Sequence, residues 1–192
     1  MIQLDVLAVG DLSRAEDGTV TEAHSTSTLI RASGHNIVVD PSDKYMEPAV
    51  RTSLSQIGIC PDEVDIVILT HAHRDHSENV GMYKNAKVYI HSGSKTDIPR
   101  TIIIDAPTFS LCEGVKLIHT PGHCNEEMSV FVEADRKYVC AGDAIPLEGN
   151  LRKNVPPAIN VDARLALESI KKIREYADVV IPGHGFPFMT DQ

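Results

Sequence analysis

The chain has 192 residues, of which 27 are acidic and 18 are basic, so its formal charge at pH 7 is −9. This length suits one domain, and we expect residues 1–192 to form a single domain that buries a core without disulfides or a structural metal. The negative charge excludes a general attraction for phosphate backbones, and no apolar run approaches the ~20 residues that a transmembrane helix needs.

The cysteines and the N-terminus predict where the protein works. Its four cysteines are far apart in the sequence and form no CxxC pair, which is typical of ordinary thiols in a reducing compartment. The N-terminal segment MIQLDVLAVG contains neither a basic leader nor a cleavable apolar stretch, so no secretion signal is predicted. We therefore expect a cytoplasmic protein with no membrane partner.

Nine short segments predict β-strands, because most are rich in β-branched residues and bounded by Gly, Pro, Asn or Asp. In chain order they are residues 2–9, 27–33, 35–40, 65–70, 86–91, 115–120, 128–134, 137–143 and 178–184. ASGHN, between the second and third segments, and ADRK, between the seventh and eighth, predict hairpin turns.

Three segments predict helices. Apolar residues recur at helical spacing over 46–57, a proline lies where the first turn tolerates it, and Gly58 is a candidate C-cap. A second helix is predicted from about residue 162 to residue 176, with one apolar stripe and a charged face. A short third helix is predicted from residue 75 or 76 to about residue 85.

The order of these elements predicts the fold class. Hairpins are followed by a helix, a strand, a helix, more hairpins, a helix and a final strand, which is a mixed α/β layout with mainly antiparallel sheet. It lacks the strict alternation of a doubly wound fold. Two sheets packed face to face, with helices on both outer faces, would accommodate it.

The segment THAHRDH at 70–76 carries the densest cluster of metal-binding side chains. His71 and His73 are two apart on an extended stretch, so their side chains point to the same side. Asp75 and His76 follow at a predicted helix N-terminus, which tolerates a carboxylate. Imidazoles and carboxylates are ligands of zinc and similar divalent ions. Four such side chains cannot all bind one ion comfortably, so the segment predicts two metals.

Three later segments each place one metal-competent side chain on a loop that follows a strand. His123 lies in HTPGHCNEEMSV, Asp143 in VCAGDAI and His184 in VIPGHGFP. Loops at strand ends, held by a rigid scaffold, are where functional sites are usually built. Each residue alone is typical of a polar surface position, but together with the THAHRDH cluster they predict one shared site.

The ordered set of motifs resembles the metallo-β-lactamase superfamily over nearly the whole chain. Asp40 follows an early strand in IVVDPS, and His-x-His-x-Asp-His, TPGH, GD and PGHG come after it in that order. The resemblance implies a four-layer αββα sandwich with two metals at one edge. Position by position, it implies a first metal bound by His71, His73 and His123, and a second bound by Asp75, His76 and His184, with Asp143 bridging. Asp40 and Thr70 match positions that orient a ligand from behind.

This ligand set predicts a metal-dependent hydrolase. Two divalent ions are expected, zinc first and iron or manganese as alternatives. A zinc-bound hydroxide, available because the metal lowers the pKa of water to ≈ 7, would attack a small ester, thioester or lactone. Asp75 or Asp143 would shuttle the proton. The expected partner is a small-molecule substrate, and the oligomeric state is left open, with a homodimer among the alternatives.

Two other activities stay open. A metal-dependent nuclease or phosphodiesterase would use the same ligands, although the acidic net charge disfavours a nucleic acid as partner. An iron oxygenase of the persulfide dioxygenase kind would bind a single iron in the first group with the motifs otherwise kept.

Several other residues could contribute chemistry. Asn79, Tyr83 and His91 follow the cluster and could contact a substrate, although packing or surface placement is the expected role for each. Packing or surface roles are also expected for Cys124, His24, His35 and His119. Arg152 and Lys153, a basic pair in GNLRKNVPP, are equally compatible with an anion-binding role and with a solvated loop. HSGSKT (91–96) lacks the glycine that a phosphate loop has before its lysine, so it does not predict one.

Overall fold

The computed structural model describes residues 1–94 and 96–191. Lys95, the lysine of HSGSKT, lies outside the described residues, as does Gln192. The described part of the chain contains fourteen strands. They are β1 (Gln3–Ala8), β2 (Asp11–Arg14), β3 (Val20–His24), β4 (Ser27–Ala32), β5 (His35–Val39), β6 (Ile66–Ile68), β7 (Lys87–His91), β8 (Thr101–Ile104), β9 (Thr108–Cys112), β10 (Val115–His119), β11 (Met128–Glu133), β12 (Lys137–Gly142), β13 (Val179–Pro182) and β14 (Phe188–Met189).

Helices lie between some of these strands. The α-helices are α1 (Glu47–Gln56), α2 (Arg74–Ser77), α3 (Glu148–Lys153) and α4 (Ala163–Tyr176). Short 3-10 helices cover Pro61–Glu63 and Glu78–Met82. Within residues 1–94 and 96–191, no helix has the length and apolar character that crossing a membrane would require.

Twelve of the strands form two six-stranded sheets, and β2 and β3 form a separate hairpin. The first sheet has the order β1-β4-β5-β6-β7-β8 and the second has the order β14-β13-β12-β11-β10-β9. In the second sheet only β12 and β13 pair in parallel. In the first, β5 to β8 all run parallel, so the prediction of mainly antiparallel sheet is wrong there. The helical connections after β5 and β6 return the chain to the same end, as parallel pairing requires.

Three hydrophobic clusters separate four layers. The strand β6 shows how they arise: Val67 packs in the cluster with α1, whereas Ile66 and Ile68 pack in the cluster between the sheets. Successive strand residues point to opposite faces, so one buried strand contributes to two cores. A third cluster lies between the second sheet and α4, whose Ile170 and Ile173 are fully buried. The predicted αββα sandwich is confirmed.

All nine predicted strands are present, with bounds within two residues of those expected. The ASGHN turn joins β4 to β5, and Ser33 and Gly34 take the positive φ values of 51° and 82° that a tight hairpin turn uses. Five strands were not predicted: β2, β3, β8, β9 and β14. The hairpin of β2 and β3 is polar and largely exposed, and β14 has only two residues, so neither shows the alternating pattern of a half-buried strand.

The helices agree with prediction at α1 and α4. The predicted third helix over 75–85 is wrong in extent, because α2 forms one turn and a 3-10 helix continues it to Met82. The amide of Asn79 donates its hydrogen bonds to the carbonyls of Pro41 and Asp43, so a tertiary contact fixes the chain at this change of helix type. The six-residue helix α3 was not predicted.

Candidate metal centre

Four loops that follow strands bring the predicted ligands together. After β6 the chain passes through Thr70 to His71 and His73, and Asp75 and His76 lie in the single turn of α2. His123 lies in the turn between β10 and β11. Asp143 immediately follows β12, and His184 lies two residues after β13. The site therefore combines loops from both sheets.

The first group consists of His71, His73 and His123. The Nδ1 atom of His73 lies 2.9 Å from Nε2 of His71 and 3.1 Å from Nε2 of His123. Nitrogen ligands at the usual zinc–nitrogen distance in a tetrahedral site are roughly 3.3 Å apart. The three nitrogens could therefore hold one ion with little movement, as the sequence predicts.

The second group consists of Asp75, His76 and His184, and Asp143 joins it to the first. Oδ2 of Asp75 lies 3.6 Å from Nε2 of both histidines. Oδ1 of Asp143 is 3.3 Å from Nε2 of His184 and 3.5 Å from Nε2 of His76. Its other oxygen, Oδ2, lies 3.5 Å from Nε2 of His123. One carboxylate thus faces both groups, which is the arrangement of a bridging ligand.

Outward hydrogen bonds decide which ring nitrogens carry hydrogen. Nδ1 of His123 lies 2.9 Å from the carbonyl oxygen of Ile159, and Nδ1 of His184 lies 2.8 Å from that of His24. A carbonyl oxygen only accepts, so both Nδ1 atoms are donors and, in the neutral ring, both Nε2 lone pairs point into the site. Such outer partners are typical of histidines that bind metals.

The ring nitrogens and carboxylate oxygens that face into the site are arranged to bind a cation rather than to hydrogen-bond to one another. Nε2 of His76 and Oδ1 of Asp143 are buried without a hydrogen-bond partner among the described residues, a state that buried polar atoms rarely keep. Burial lowers the pKa of His71 well below its ordinary range and also lowers that of His73. These imidazoles are therefore neutral and able to bind a metal.

The two carboxylates beside His76 favour a positive charge there. Burial by itself would lower the pKa of His76, but Asp40 and Asp143 outweigh it and raise that pKa well above its ordinary value. Burial would also raise the pKa of Asp143, yet the imidazoles of His184 and His76 hold it well below its ordinary value. A proton or a metal ion can supply the positive charge that this pairing favours.

Asp40 and Thr70 support the site from behind, as the resemblance implied. The Asp40 carboxylate accepts hydrogen bonds from the Thr70 amide at 2.9 Å and from the Thr70 hydroxyl at 2.8 Å. Its Oδ2 also lies 2.9 Å from Nδ1 of His76. Because the Thr70 hydroxyl donates to Asp40, its oxygen is free to accept from Nδ1 of His71, 3.0 Å away.

Comparison with known proteins agrees with this geometry. The sequence model of the metallo-beta-lactamase superfamily matches residues 20–99. A protein of Methanocaldococcus jannaschii named as a probable metallo-hydrolase is 42% identical over 183 residues, covering 95% of this chain and 87% of that protein. The chain belongs to the metallo-β-lactamase superfamily.

Two further superfamily comparisons extend this result. The N-acyl homoserine lactonase of Bacillus cereus is 26% identical over 144 residues, which cover 67% of this chain and 57% of the lactonase. A Thermotoga maritima structure described as a metallo-beta-lactamase superposes with a TM-score of 0.80 at 21% identity, covering 98% of this chain and 99% of that one. Since the similar proteins include a named metallo-hydrolase and a lactonase, the chain is a metal-dependent hydrolase of the metallo-β-lactamase superfamily.

A cavity of about 210 Å³ opens onto the metal centre of this superfamily member. Its wall includes His73, Asp75, His123, Asp143 and His184. The rest of the lining is mainly apolar and comes from the β2–β3 hairpin and two loops: Leu12, Val20, Ala23, Pro146, Pro157, Ala158 and Ile159, with Arg14 as the cation. A larger cavity, about 1110 Å³, lies near the N-terminal residues and contains none of the predicted ligands.

The remaining candidates lie outside the cavity that opens onto the site. Asn79 and Tyr83 are fully buried, and His91 stacks on His119 with ring centroids 4.4 Å apart. Arg152 lies in α3 and donates hydrogen bonds to the carbonyls of Met189 and Thr190, so it belongs to the packing of the C-terminal segment. His35 pairs with Asp65 near the surface.

Three supporting groups were missed from the sequence. Ile159 and His24 act through main-chain carbonyls, which no side-chain motif reveals. Glu127 is a fully buried acid that directly precedes β11. Burial raises its pKa to about 8, whereas positive charge in the site lowers that pKa. Its signal was an acidic residue at the edge of the apolar segment MSVFV, where solvation is lost. All four cysteines are free thiols, including the buried Cys124.

Proposed function

We propose that this chain is a hydrolase with a dinuclear zinc centre that acts on a small ester, thioester or lactone. The convergence of seven donor side chains in two groups joined by Asp143 carries the proposal. The first ion would be held by His71, His73 and His123, and the second by Asp75, His76 and His184. Iron or manganese are the alternative metals for the same donors.

The two predicted acids suit different tasks. Zinc at such a centre lowers the pKa of a water molecule and polarises the bond that is attacked. Asp75 is partly exposed and lines the cavity, so its carboxylate can pass a proton between the centre and the substrate's leaving group. Asp143 is nearly buried and its pKa is held low, so it stays an anion and suits the bridging position better than proton transfer.

The cavity supports a small substrate with an apolar portion. Its volume of about 210 Å³ lies below the ≈ 300–1,000 Å³ that drug-sized ligands occupy. Its apolar walls would contact an acyl chain or a ring beside the reacting carbonyl. One cation in the lining and a net charge of −9 give a phosphodiester backbone little attraction, so a nuclease is the weaker candidate.

The proposal extends to the cellular compartment and the domain organisation of the protein. The free thiols suit a reducing compartment, and we place the protein in the cytoplasm. We also propose that residues 1–192 act as one metallo-β-lactamase-like domain.

Elemental analysis combined with a substrate panel tests the function. Purified protein is expected to hold about two zinc ions per chain and to hydrolyse at least one ester, thioester or lactone. His71→Ala should lose metal and activity together. His35→Ala is the matched control, because this histidine pairs with Asp65 away from the centre.

The rival activities predict different results. A single tightly held iron with oxygen consumption on a persulfide would overturn the hydrolase proposal in favour of an oxygenase. Cleavage of phosphodiesters with no activity on the carbonyl substrates would overturn the proposed substrate class while keeping a metal-dependent hydrolase.

A further inference from the structure

Glu127 is a buried acid that the ligand assignment does not use. Its side chain is fully buried. Oε1 accepts a hydrogen bond from the main-chain amide of Asp143 at 2.9 Å, and Oε2 lies 3.3 Å from Nδ1 of His71. The thiol of Cys124 donates to the same Oε2 at 3.6 Å. A buried carboxyl group is costly unless its oxygens are paired. Here one oxygen accepts from the main chain of one predicted ligand, and the other lies beside the ring of a second.

The main chain is shaped to admit this carboxyl group. Gly142, the last residue of β12, has φ +54°, and a Cβ atom built there would lie 2.4 Å from Oε1 of Glu127 and 2.5 Å from the Thr70 hydroxyl. The glycine therefore lets the peptide before Asp143 rest directly on Glu127. This close approach is independent of the hydrogen bonds, and it too holds Glu127 against the main chain at Gly142 and Asp143.

We propose that Glu127 is a positioning residue for the metal centre, holding the Asp143 amide through one oxygen and sharing the Nδ1 hydrogen of His71 with the Thr70 hydroxyl through the other. This inference rests on the proposed dinuclear centre. The positive charge of metal in the site would favour the carboxylate form of Glu127. One carboxylate thereby aligns a ligand of the first group and the residue that joins the two groups. Together with the Thr70 hydroxyl, it also favours the tautomer that leaves Nε2 of His71 without hydrogen, and Nε2 is the atom that faces the other ligands of the first group.

The isosteric change Glu127→Gln separates this role from simple space filling. An amide keeps the shape but replaces one accepting oxygen by an NH₂ group that only donates. If the remaining oxygen keeps the Asp143 amide, the NH₂ group faces the Nδ1 hydrogen of His71. Two donors then oppose each other, and only the Thr70 hydroxyl still accepts from Nδ1. The tautomer with hydrogen on Nε2, where it obstructs metal binding, therefore becomes more populated.

The test measures zinc affinity and the His71 tautomer in folded protein. Zinc is titrated against a chromophoric chelator, and ¹⁵N–¹H NMR reports which nitrogen of His71 carries hydrogen. The titration resolves two zinc-binding steps, one of which is assigned to the first group. For Glu127→Gln we expect the zinc affinity of that step to fall roughly 10–100-fold. In the metal-free variant we expect a larger share of His71 to carry hydrogen on Nε2. Glu126→Gln, the adjacent acid, is the matched control and should leave both readouts unchanged.

Thermal melts of the metal-free proteins exclude a general folding effect. If Glu127→Gln fails to fold, Glu127→Asp replaces it, since aspartate still only accepts hydrogen bonds but is too short to reach both partners. A zinc affinity below that of the wild type is expected for this variant too. Wild-type protein that binds no zinc would overturn the proposed centre itself. Two-zinc wild type together with unchanged affinity and an unchanged His71 tautomer in the variant would overturn only the role of Glu127.

Discussion

Asp40 shows how much one side chain organises at the residue scale. It has a left-handed backbone with φ 47°, a conformation that Asp and Asn tolerate better than most residues. From there its carboxylate reaches the Thr70 amide, the Thr70 hydroxyl and Nδ1 of His76. The strained backbone thus places one acid against His76 of the second group and against Thr70, which supports His71 of the first group. Such strain tends to occur at functional sites.

Replacing Asp40 by Asn tests this support without disturbing the backbone. The amide keeps the size and the tolerance of positive φ, but it removes the charge and one acceptor behind His76. We expect zinc affinity in the second group to fall roughly 10–100-fold. The fall in the first group should be smaller, because Asp40 reaches His71 only through Thr70. A stepwise zinc titration measures both. Equal loss in the two steps, or none, would contradict the assignment of Asp40 to His76.

At the scale of elements, the β2–β3 hairpin forms one wall of the cavity. Leu12, Val20 and Ala23 line it, facing the loop that carries Pro157 and Ile159. The hairpin pairs with neither of the two large sheets, so its sequence can vary without changing the sandwich. It is therefore the element where we expect substrate selectivity to be determined.

Leu12→Ala probes that wall. Removing part of the apolar contact should cost about 1.4 kcal/mol of substrate binding, equivalent to a roughly tenfold rise in KM for an ester with an apolar acyl group. Neither kcat nor zinc content should change appreciably. Ser13→Ala is the control on the same strand, because Ser13 hydrogen-bonds to Asp11 and does not line the cavity. A KM unchanged in both variants would remove the hairpin from the substrate site.

Gly122 couples the TPGH turn to α4. Its φ is +140°, and a Cβ atom there would lie 2.3 Å from the main chain of Ala166. Gly122→Ala should therefore force the turn and α4 apart, costing roughly 1–3 kcal/mol of stability and displacing His123 from the first metal group. Urea unfolding and zinc titration measure the two effects.

Gly149→Ala is the matched control for that substitution. No atom lies within 4 Å of a Cβ built at Gly149, and alanine is favoured over glycine inside a helix such as α3. Stability that is equal to or above that of the wild type is expected. An equal loss in both variants would show that the helix contact is not the cause.

At the scale of the whole molecule, the proposed metal centre joins the two halves of the sandwich. His71, His73, Asp75 and His76 follow a strand of the first sheet, whereas His123, Asp143 and His184 follow strands of the second. Metal bound across the groups would therefore stabilise the folded state against separation of the sheets, in addition to serving the reaction.

Removing the metal should lower the melting temperature. Zinc at a free concentration 100 times its Kd stabilises the folded state by about 2.7 kcal/mol, and for a chain of this length that corresponds to a Tm higher by roughly 5–10 °C. Calorimetry with and without a chelator measures it. His71→Ala should show a much smaller difference, and an unchanged Tm in wild-type protein shown to have lost its metal would contradict the cross-sheet role.

The fold was predictable in segments where apolar residues recur with the period of a strand or a helix. Strands such as β5, β11 and β12, and the amphipathic helix α4, carry their own periodicity, so their positions agreed with prediction. The hairpin β2–β3 and the helix α3 were missed because polar, exposed or very short elements leave no such pattern. The parallel pairing of β5 to β8 was missed because it depends on how the connections between these strands cross the sheet.

The sequence by itself determined the element types, the order of the motifs and the identity of the candidate ligands, because these depend on local pattern and on side-chain chemistry. Only the tertiary structure decided which of these side chains approach within hydrogen-bond distance and which ring nitrogens face inward. It also revealed the carbonyls of Ile159 and His24 and the carboxyl group of Glu127 as outer supports. Main-chain acceptors are common to all residues, and the burial of an acid depends on packing from distant segments, so neither leaves a signature in the local sequence.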